Sequence, residues 1–230
     1  MNSPALAKGS TLYDELVREL GIDVAMDRES CENLASLAPL SHPGDAFSAF
    51  TPGKAFAVIG PDDPQLGHPK VRSCKYVMVA DSAISVYFHD SGGIPDIIVS
   101  DMDGDMRLIL DCISRGSTGI IHAHGDNIPL VRKYSQLFRG TVVGSCQVTE
   151  HPSIILAPGG FTDGDRAAYL ADYLGASEII LTGFSFNKPV DKPDSDQSRK
   201  RVKLKWARIY LDVLARRRGH ELSDGEIIRI

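Results

Sequence analysis

Asp96-Ile97-Ile98-Val99-Ser100-Asp101-Met102-Asp103-Gly104, leading into Met106–Ser114, is the stretch on which the fold turns. An apolar run of this kind, with no polar residue interleaved, predicts a strand covered on both faces, as in a parallel sheet. The segment that follows carries apolar residues at helical spacing. Strand followed by helix is the unit of a Rossmann-like, three-layer α/β domain. Working outward, the same signature recurs. Ala55–Ile59, Tyr76–Val79, Gly119–Ile121, Thr141–Val143, Ile154–Leu156 and Ile179–Leu181 read as further strands. Pro129–Phe138 and Asp165–Leu174 read as helices, with Pro129 suited to a first turn and Gly175 to a C-cap. A long helix is predicted from about Asp196 to Arg218, with Asp194 or Ser195 as cap and Val202, Trp206, Ile209 and Val213 on its apolar face. Glu226–Ile230 reads as an edge strand.

The first fifty-odd residues differ. Thr11–Leu20 and Arg28–Leu37 read as short amphipathic helices, with Leu12, Leu16 and Leu20 on one face. Ser41-His42-Pro43-Gly44 and Thr51-Pro52-Gly53 interrupt the pattern. The expected organisation is a helical appendage over 1–53 packed on a catalytic domain over 54–230.

Composition narrows the class. The 230 residues are 43% hydrophobic and 24% charged, ordinary for a folded domain. No run approaches the roughly 18 apolar residues of a membrane span, and Met1–Ser10 lacks the apolar core of a secretory signal. A cytoplasmic location is expected. Cys31, Cys74, Cys112 and Cys146 are widely spaced, which speaks for reduced thiols rather than a zinc site or disulfide framework. The net charge of −5 disfavours a nucleic-acid surface. Acidic residues crowd the middle of the chain, and basic ones crowd Arg199–Arg218.

In open α/β sheets, ligands bind beyond the carboxyl ends of the strands. Aspartate recurs at those places: Asp81, Asp101, Asp103, Asp126 and Asp163. If the chain stays extended through Asp101-Met102-Asp103, both carboxylates share a face, with Met102 opposite and Gly104 making the turn into the helix. Two carboxylates about 4 Å apart repel by roughly 4 kcal/mol at an effective dielectric of 20. A shared proton or a divalent cation offsets this, and an all-oxygen donor set suits magnesium or manganese. Asp101, Asp103, Asp126 and Asp163 are therefore the expected metal-site carboxylates; helix caps and turns are the local alternative for any one of them. In His122-Ala123-His124-Gly125-Asp126-Asn127, extended backbone would put both histidines on one face, as phosphate contacts or as satisfied strand-end residues. In Ala157-Pro158-Gly159-Gly160-Phe161-Thr162-Asp163-Gly164-Asp165-Arg166, glycines and a helix start make an anion site. Lys188, Lys192, Arg199, Lys200 and Lys203 supply the positive charge that phosphoryl oxygens need, or form a solvated helix face.

These motifs, in this order, resemble the archaeal 6-hydroxymethyl-7,8-dihydropterin diphosphokinases. Pro95–Asp105 resembles the family's metal motif, while His122–Asn127, Gly159–Ala167 and the run Gly175-Ala176 with Ile179–Phe186 resemble its other signatures. The resemblance covers about Lys54 to Trp206. The family is itself similar to thiamine pyrophosphokinases, whose acidic strand-end pair resembles Asp101 and Asp103. The resemblance implies Mg2+, ATP as co-substrate, a small pterin alcohol as acceptor, and AMP as a product. It implies catalytic roles for Asp101, Asp103 and Asp163. Nucleotide or phosphate contacts are implied at His122, His124, Gly125, Asn127, Thr162, Gly164, Asp165, Lys188 and Lys203. Acceptor contacts are implied at Asp81 and Ser82. Two positions depart from the pattern: Ser82 stands where a glycine is expected, and Gly60-Pro61-Asp62-Asp63-Pro64 replaces a glycine-rich, serine-containing loop. Neither nucleic acid nor membrane is an expected partner, and a homodimer is left open. Transfer to another alcohol such as thiamine, a nucleotide-sugar glycosyltransferase with an Asp-x-Asp metal site, and a non-catalytic nucleotide-binding regulator are the rival readings.

Overall fold

The computed structural model describes residues 11–147, 155–186 and 197–230. In chain order the elements are α1 (Thr11–Leu20), α2 (Val24–Leu37), α3 (Pro43–Ala46), β1 (Phe56–Ile59), α4 (Pro69–Arg72), β2 (Tyr76–Ala80), α5 (Ile84–Ser91), β3 (Ile97–Ser100) and α6 (Met106–Ser114). They continue with β4 (Thr118–Ala123), α7 (Ile128–Tyr134), β5 (Val142–Cys146), β6 (Ile155–Leu156), α8 (Asp163–Tyr173), β7 (Ile179–Thr182), α9 (Gln197–Arg217) and β8 (Ile227–Arg229). Among the described residues the strands form one sheet in the order β6-β5-β4-β3-β2-β1-β7-β8. Every pairing is parallel except that of β7 with β8. The carboxyl ends of β1 to β7 therefore share one edge. From β1 the chain steps outward to β6, then returns to add β7 on the other side, so the direction of winding reverses beside β1.

Two apolar layers sandwich the sheet, and alternate strand residues feed one or the other. Phe56, Val58, Met78, Ile97 and Val99 join α1, α8 and α9. Ala57, Ile59, Val79 and Ile98 join residues of α2, α5, α6 and α7. The uninterrupted apolar runs of the sequence are explained by this: both faces are dry. The first two helices take part in both layers. Tyr13, Leu16 and Leu20 of α1 belong to one core and Leu34 of α2 to the other. Glu19 accepts hydrogen bonds from Lys205 and from the Trp206 indole, which fastens α1 to α9.

The strands and long helices lie where the sequence patterns put them, within a few residues. Asp23 caps α2 through the Ala25 and Met26 N–H groups, so that helix begins four residues before the expected Arg28. The helix expected over Pro129–Phe138 tightens into a 3-10 turn at Ser135–Leu137. α5 was not foreseen. Its Ile84-Ser85-Val86-Tyr87-Phe88 run has strand-like propensity, but Gly92 at φ 65° closes it as a left-handed cap. The expected caps Asp194 and Ser195 lie outside the described residues. Among the described residues no helix is long and apolar enough to cross a membrane.

Candidate active site

A cleft of about 400 Å³ opens over the carboxyl edge of the sheet. Its floor carries Asp101, Asp103 and Asp163, and Arg199, Lys200 and Lys203 of α9 line it as well. Phe161, Phe184 and Phe186 add an aromatic wall, and Leu16, Leu20, Ile22 and Met26 from the first two helices add an aliphatic one.

The acidic floor is built by β2 and β3, which are adjacent and parallel. Asp81 follows β2 and Asp101 follows β3, and the register that pairs Ala80 with Val99 brings the two strand ends level. One carboxylate oxygen from each of Asp81, Asp101 and Asp103 lies within 4.8 Å of the others. The sequence expectation was an extended Asp101-Met102-Asp103. Instead β3 ends at Ser100 and Met102 adopts φ 71°, a left-handed conformation rare for a side-chain-bearing residue. The kink sends Met102 into the apolar core, where it is 1% exposed, and turns both flanking carboxylates toward Asp81. Ser100 holds the arrangement: its hydroxyl donates to Asp81 Oδ2 and accepts the Met102 N–H at 2.8 Å. Gly104 is needed for a reason other than the expected turn. A Cβ there would lie 1.6 Å from Asp81 Oδ1.

Asp81, expected to touch the acceptor, is thus a buried member of the acidic group, whereas Ser82 is exposed on the cleft. Asp126, expected in the metal site, is exposed on the rim and pairs with Arg199 at 3.4 Å. Asp163 sits close by: burial and the charges of Asp101, Asp81 and Asp103 push its carboxyl well above the usual range, against the pull of Arg166. Burial also pushes Asp101 up, but the His124 hydrogen bond and the charges of His124, Arg166 and Lys203 outweigh it and hold that carboxyl low. His124 Nε2 lies 3.3 Å from Asp101 Oδ2.

His122 and His124 face each other with ring centroids 5.9 Å apart, as expected for residues on one side of a strand end. His122 is buried and neutral. Burial, then Arg166 and His124, keep its basicity well below normal. The Arg166 guanidinium donates to His122 Nε2 at 2.9 Å, so Nδ1 carries the proton and donates to Ser145 Oγ. The same guanidinium donates to the Phe161 carbonyl and lies 3.4 Å from Asp163 Oδ1. Arg166 is a fixed cation in the cleft wall. Its partner His122 lies 44 residues away in sequence, so the motif around Arg166 does not by itself reveal this role.

Two expected phosphate contacts are structural. Asp165 is fully buried and accepts from the Phe161 and Thr162 N–H groups and the Thr162 hydroxyl, closing a capping box on α8. Those N–H groups are occupied, so the glycine loop offers an anion fewer donors than its sequence suggests. Asn127 accepts from Ser30 and the His124 N–H and donates to the carbonyls of Asp101 and His122. Gly125, Thr162, Gly164 and Lys203 line the cleft. Gly164 packs against Phe184, where a Cβ would come within 2.7 Å of the ring. Lys188 lies outside the described residues.

Residues 68–190 match the family described as 6-hydroxymethylpterin diphosphokinase MptE-like. That span holds the three clustered aspartates, both histidines, Asp163 and Arg166. The chain belongs to this family. It is a diphosphate-transferring enzyme by that membership. Three archaeal relatives named 6-hydroxymethyl-7,8-dihydropterin pyrophosphokinase are similar over most of their length. The Methanocaldococcus jannaschii protein is 33% identical over 193 residues, covering 78% of this chain and 79% of its own. The Methanothermobacter thermautotrophicus protein is 32% identical, covering 89% and 92%. The Pyrococcus furiosus protein is 34% identical, covering 88% and 90%.

Proposed function

We propose that the chain transfers the terminal diphosphate of ATP to the hydroxymethyl oxygen of 6-hydroxymethyl-7,8-dihydropterin, with release of AMP and dependence on magnesium. One observation carries the reading: three carboxylates converge on a point at the sheet edge, and two of them line a cleft also lined by Arg166, Arg199, Lys200 and Lys203. The donor set fits a hard dication. It is all oxygen, and its mutual repulsion is costly without one. Asp81, Asp101 and Asp103 would hold the ion, which when bound neutralises phosphate charge and polarises phosphoryl oxygens.

The chain's own residues perform the rest. Arg166, locked by His122, Phe161 and Asp163, holds its charge in place without needing to reorganise. Lys203, Lys200 and Arg199 draw the polyphosphate in along α9. The aromatic and aliphatic walls exclude water and orient flat rings. The acceptor oxygen attacks the β-phosphorus, the bond from that phosphorus to the bridging oxygen of AMP breaks, and the alcohol proton leaves to solvent or a cleft carboxylate. Phosphoryl chemistry of this kind depends mostly on positioning and charge neutralisation.

Incubation with ATP, magnesium and the pterin alcohol, followed by nucleotide analysis, tests it. AMP should form in step with pterin diphosphate. ADP as the nucleotide product, or better turnover with thiamine as acceptor, would overturn it.

A further inference from the structure

Asp27 is a buried acid at the cleft that the transfer chemistry does not use. It is 5% exposed, lies in the first turn of α2, and lines the cleft beside Met26. Gly125 donates its N–H to Asp27 Oδ1 at 2.7 Å, the one hydrogen bond to this carboxylate among the described residues. The approach is close: a Cβ on Gly125 would lie 2.7 Å from Met26 Cβ. Burial, its largest influence, pushes the carboxyl up, against the pull of the Gly125 hydrogen bond and of His124. A buried carboxylate held by a single hydrogen bond is costly unless further donors reach it, and here the cleft is where they can come from.

The surroundings limit what those donors can be. Leu16, Leu20, Ile22 and Met26 make this wall aliphatic, unlike the basic α9 wall. An acid on that wall repels phosphate, so the polyphosphate belongs elsewhere and a neutral ring belongs here. Adenine presents one N–H beside a ring nitrogen acceptor, which a carboxylate would repel. A 2-amino-4-oxo-pyrimidine edge presents two adjacent donors, matching the two acceptor oxygens of a carboxylate. The loop supplies the register. Gly125 touches Asp27, and its neighbour His124 touches Asp101. Two consecutive residues therefore connect the reading carboxylate to the acidic floor. In a pterin the amino edge and the 6-hydroxymethyl group lie at opposite ends of the bicycle, so a ring read by Asp27 points its alcohol toward that floor.

We infer that Asp27 is the specificity-determining residue for the acceptor, reading the adjacent ring N–H and amino group of a 2-amino-4-oxo-pteridine. The inference rests on the proposed function for its choice of ring. The test is equilibrium binding, followed by pteridine fluorescence, which needs no turnover. 6-Hydroxymethylpterin is compared with 6-hydroxymethyllumazine, in which an oxygen acceptor replaces the amino donor. The native protein should bind the lumazine about 10–100-fold more weakly, the range for losing a charge-assisted hydrogen bond and facing two acceptors together. Asp27→Asn keeps an acceptor for Gly125 and adds a donor, so it should narrow the preference to less than about 3-fold. Asp27→Ala serves the same comparison should the amide variant melt early. Equal binding of both rings to the native protein, or an undiminished preference in the variants, overturns the assignment. Correct discrimination without AMP formation would instead sink the transfer reading and leave this one standing.

Discussion

Asp163-Gly164-Asp165 and Asp101-Met102-Asp103 are both Asp-x-Asp runs at the same edge of the sheet, and they do opposite things. In Asp163-Gly164-Asp165, the second aspartate is enclosed by donors from its own loop, and its charge is satisfied within a capping box. In Asp101-Met102-Asp103, the backbone kinks at Met102 and both carboxylates turn toward a third, Asp81. The difference lies in what each carboxylate meets. Asp165 meets the N–H groups of a helix start, whereas Asp101 and Asp103 meet a third carboxylate. The Asp103 N–H reaches Asp101 Oδ1 only at 3.3 Å. Carboxylates crowded against one another favour a cation from outside.

This contrast can be broken experimentally. Asp101→Asn should reduce kcat on the order of 10³-fold, as expected for losing several kcal/mol of charge stabilisation, while the fold stays intact, because the lost repulsion from the neighbouring carboxylates offsets the lost attraction to His124. A variant with native-like turnover would erase the distinction between the two runs. Magnesium at about 100 times its Kd should stabilise the native chain by about 2.7 kcal/mol, or roughly 5–11 °C in Tm. A chelator should reverse this, and Asp103→Asn should abolish most of it; a flat calorimetric scan would count against the acidic floor as a cation site. Asp165→Ala should show the reverse pattern. It should lose about 2–3 kcal/mol of stability, roughly 4–12 °C, from the broken cap and stranded N–H groups, with metal affinity per folded molecule retained. Ser100→Ala should weaken magnesium binding about 10–100-fold through the freed Asp81 and Met102 contacts, read by titration calorimetry. Smallest is Asp105→Ala, which removes the Leu108 N–H cap of α6 and should cost about 0.5–1 kcal/mol with activity unchanged.

The sheet was legible because period and burial are local properties of the chain. Ile97-Ile98-Val99 could only be a strand dry on both sides. Asp101 and Asp103 were legible as a pair for the same reason. What escaped was non-local. Nothing near Asp27 in sequence reveals that Gly125 will lie against it, and nothing near Arg166 announces His122. The family resemblance implies ligand contacts at Asp165 and Asn127, but a motif shows which groups are polar, not which are already bonded within the fold. The left-handed Met102 was invisible too. Its side chain is ordinary in a core, and the conformation follows from the Ser100 hydroxyl and the pull of the apolar layer.

The earliest part of the chain closes the site that the latest part completes. Leu16 and Leu20 on α1 share the cleft with Lys203 and Leu204 on α9, and Glu19 is joined to Lys205 and Trp206 across nearly the whole length. During synthesis the amino-terminal helices emerge first, and must wait for the final long helix before this wall exists. A ribosome stalled before α9 would hold a chain with its acidic strand ends assembled but no enclosure around them. The cleft is enclosed only after α9 has left the ribosome and docked on α1.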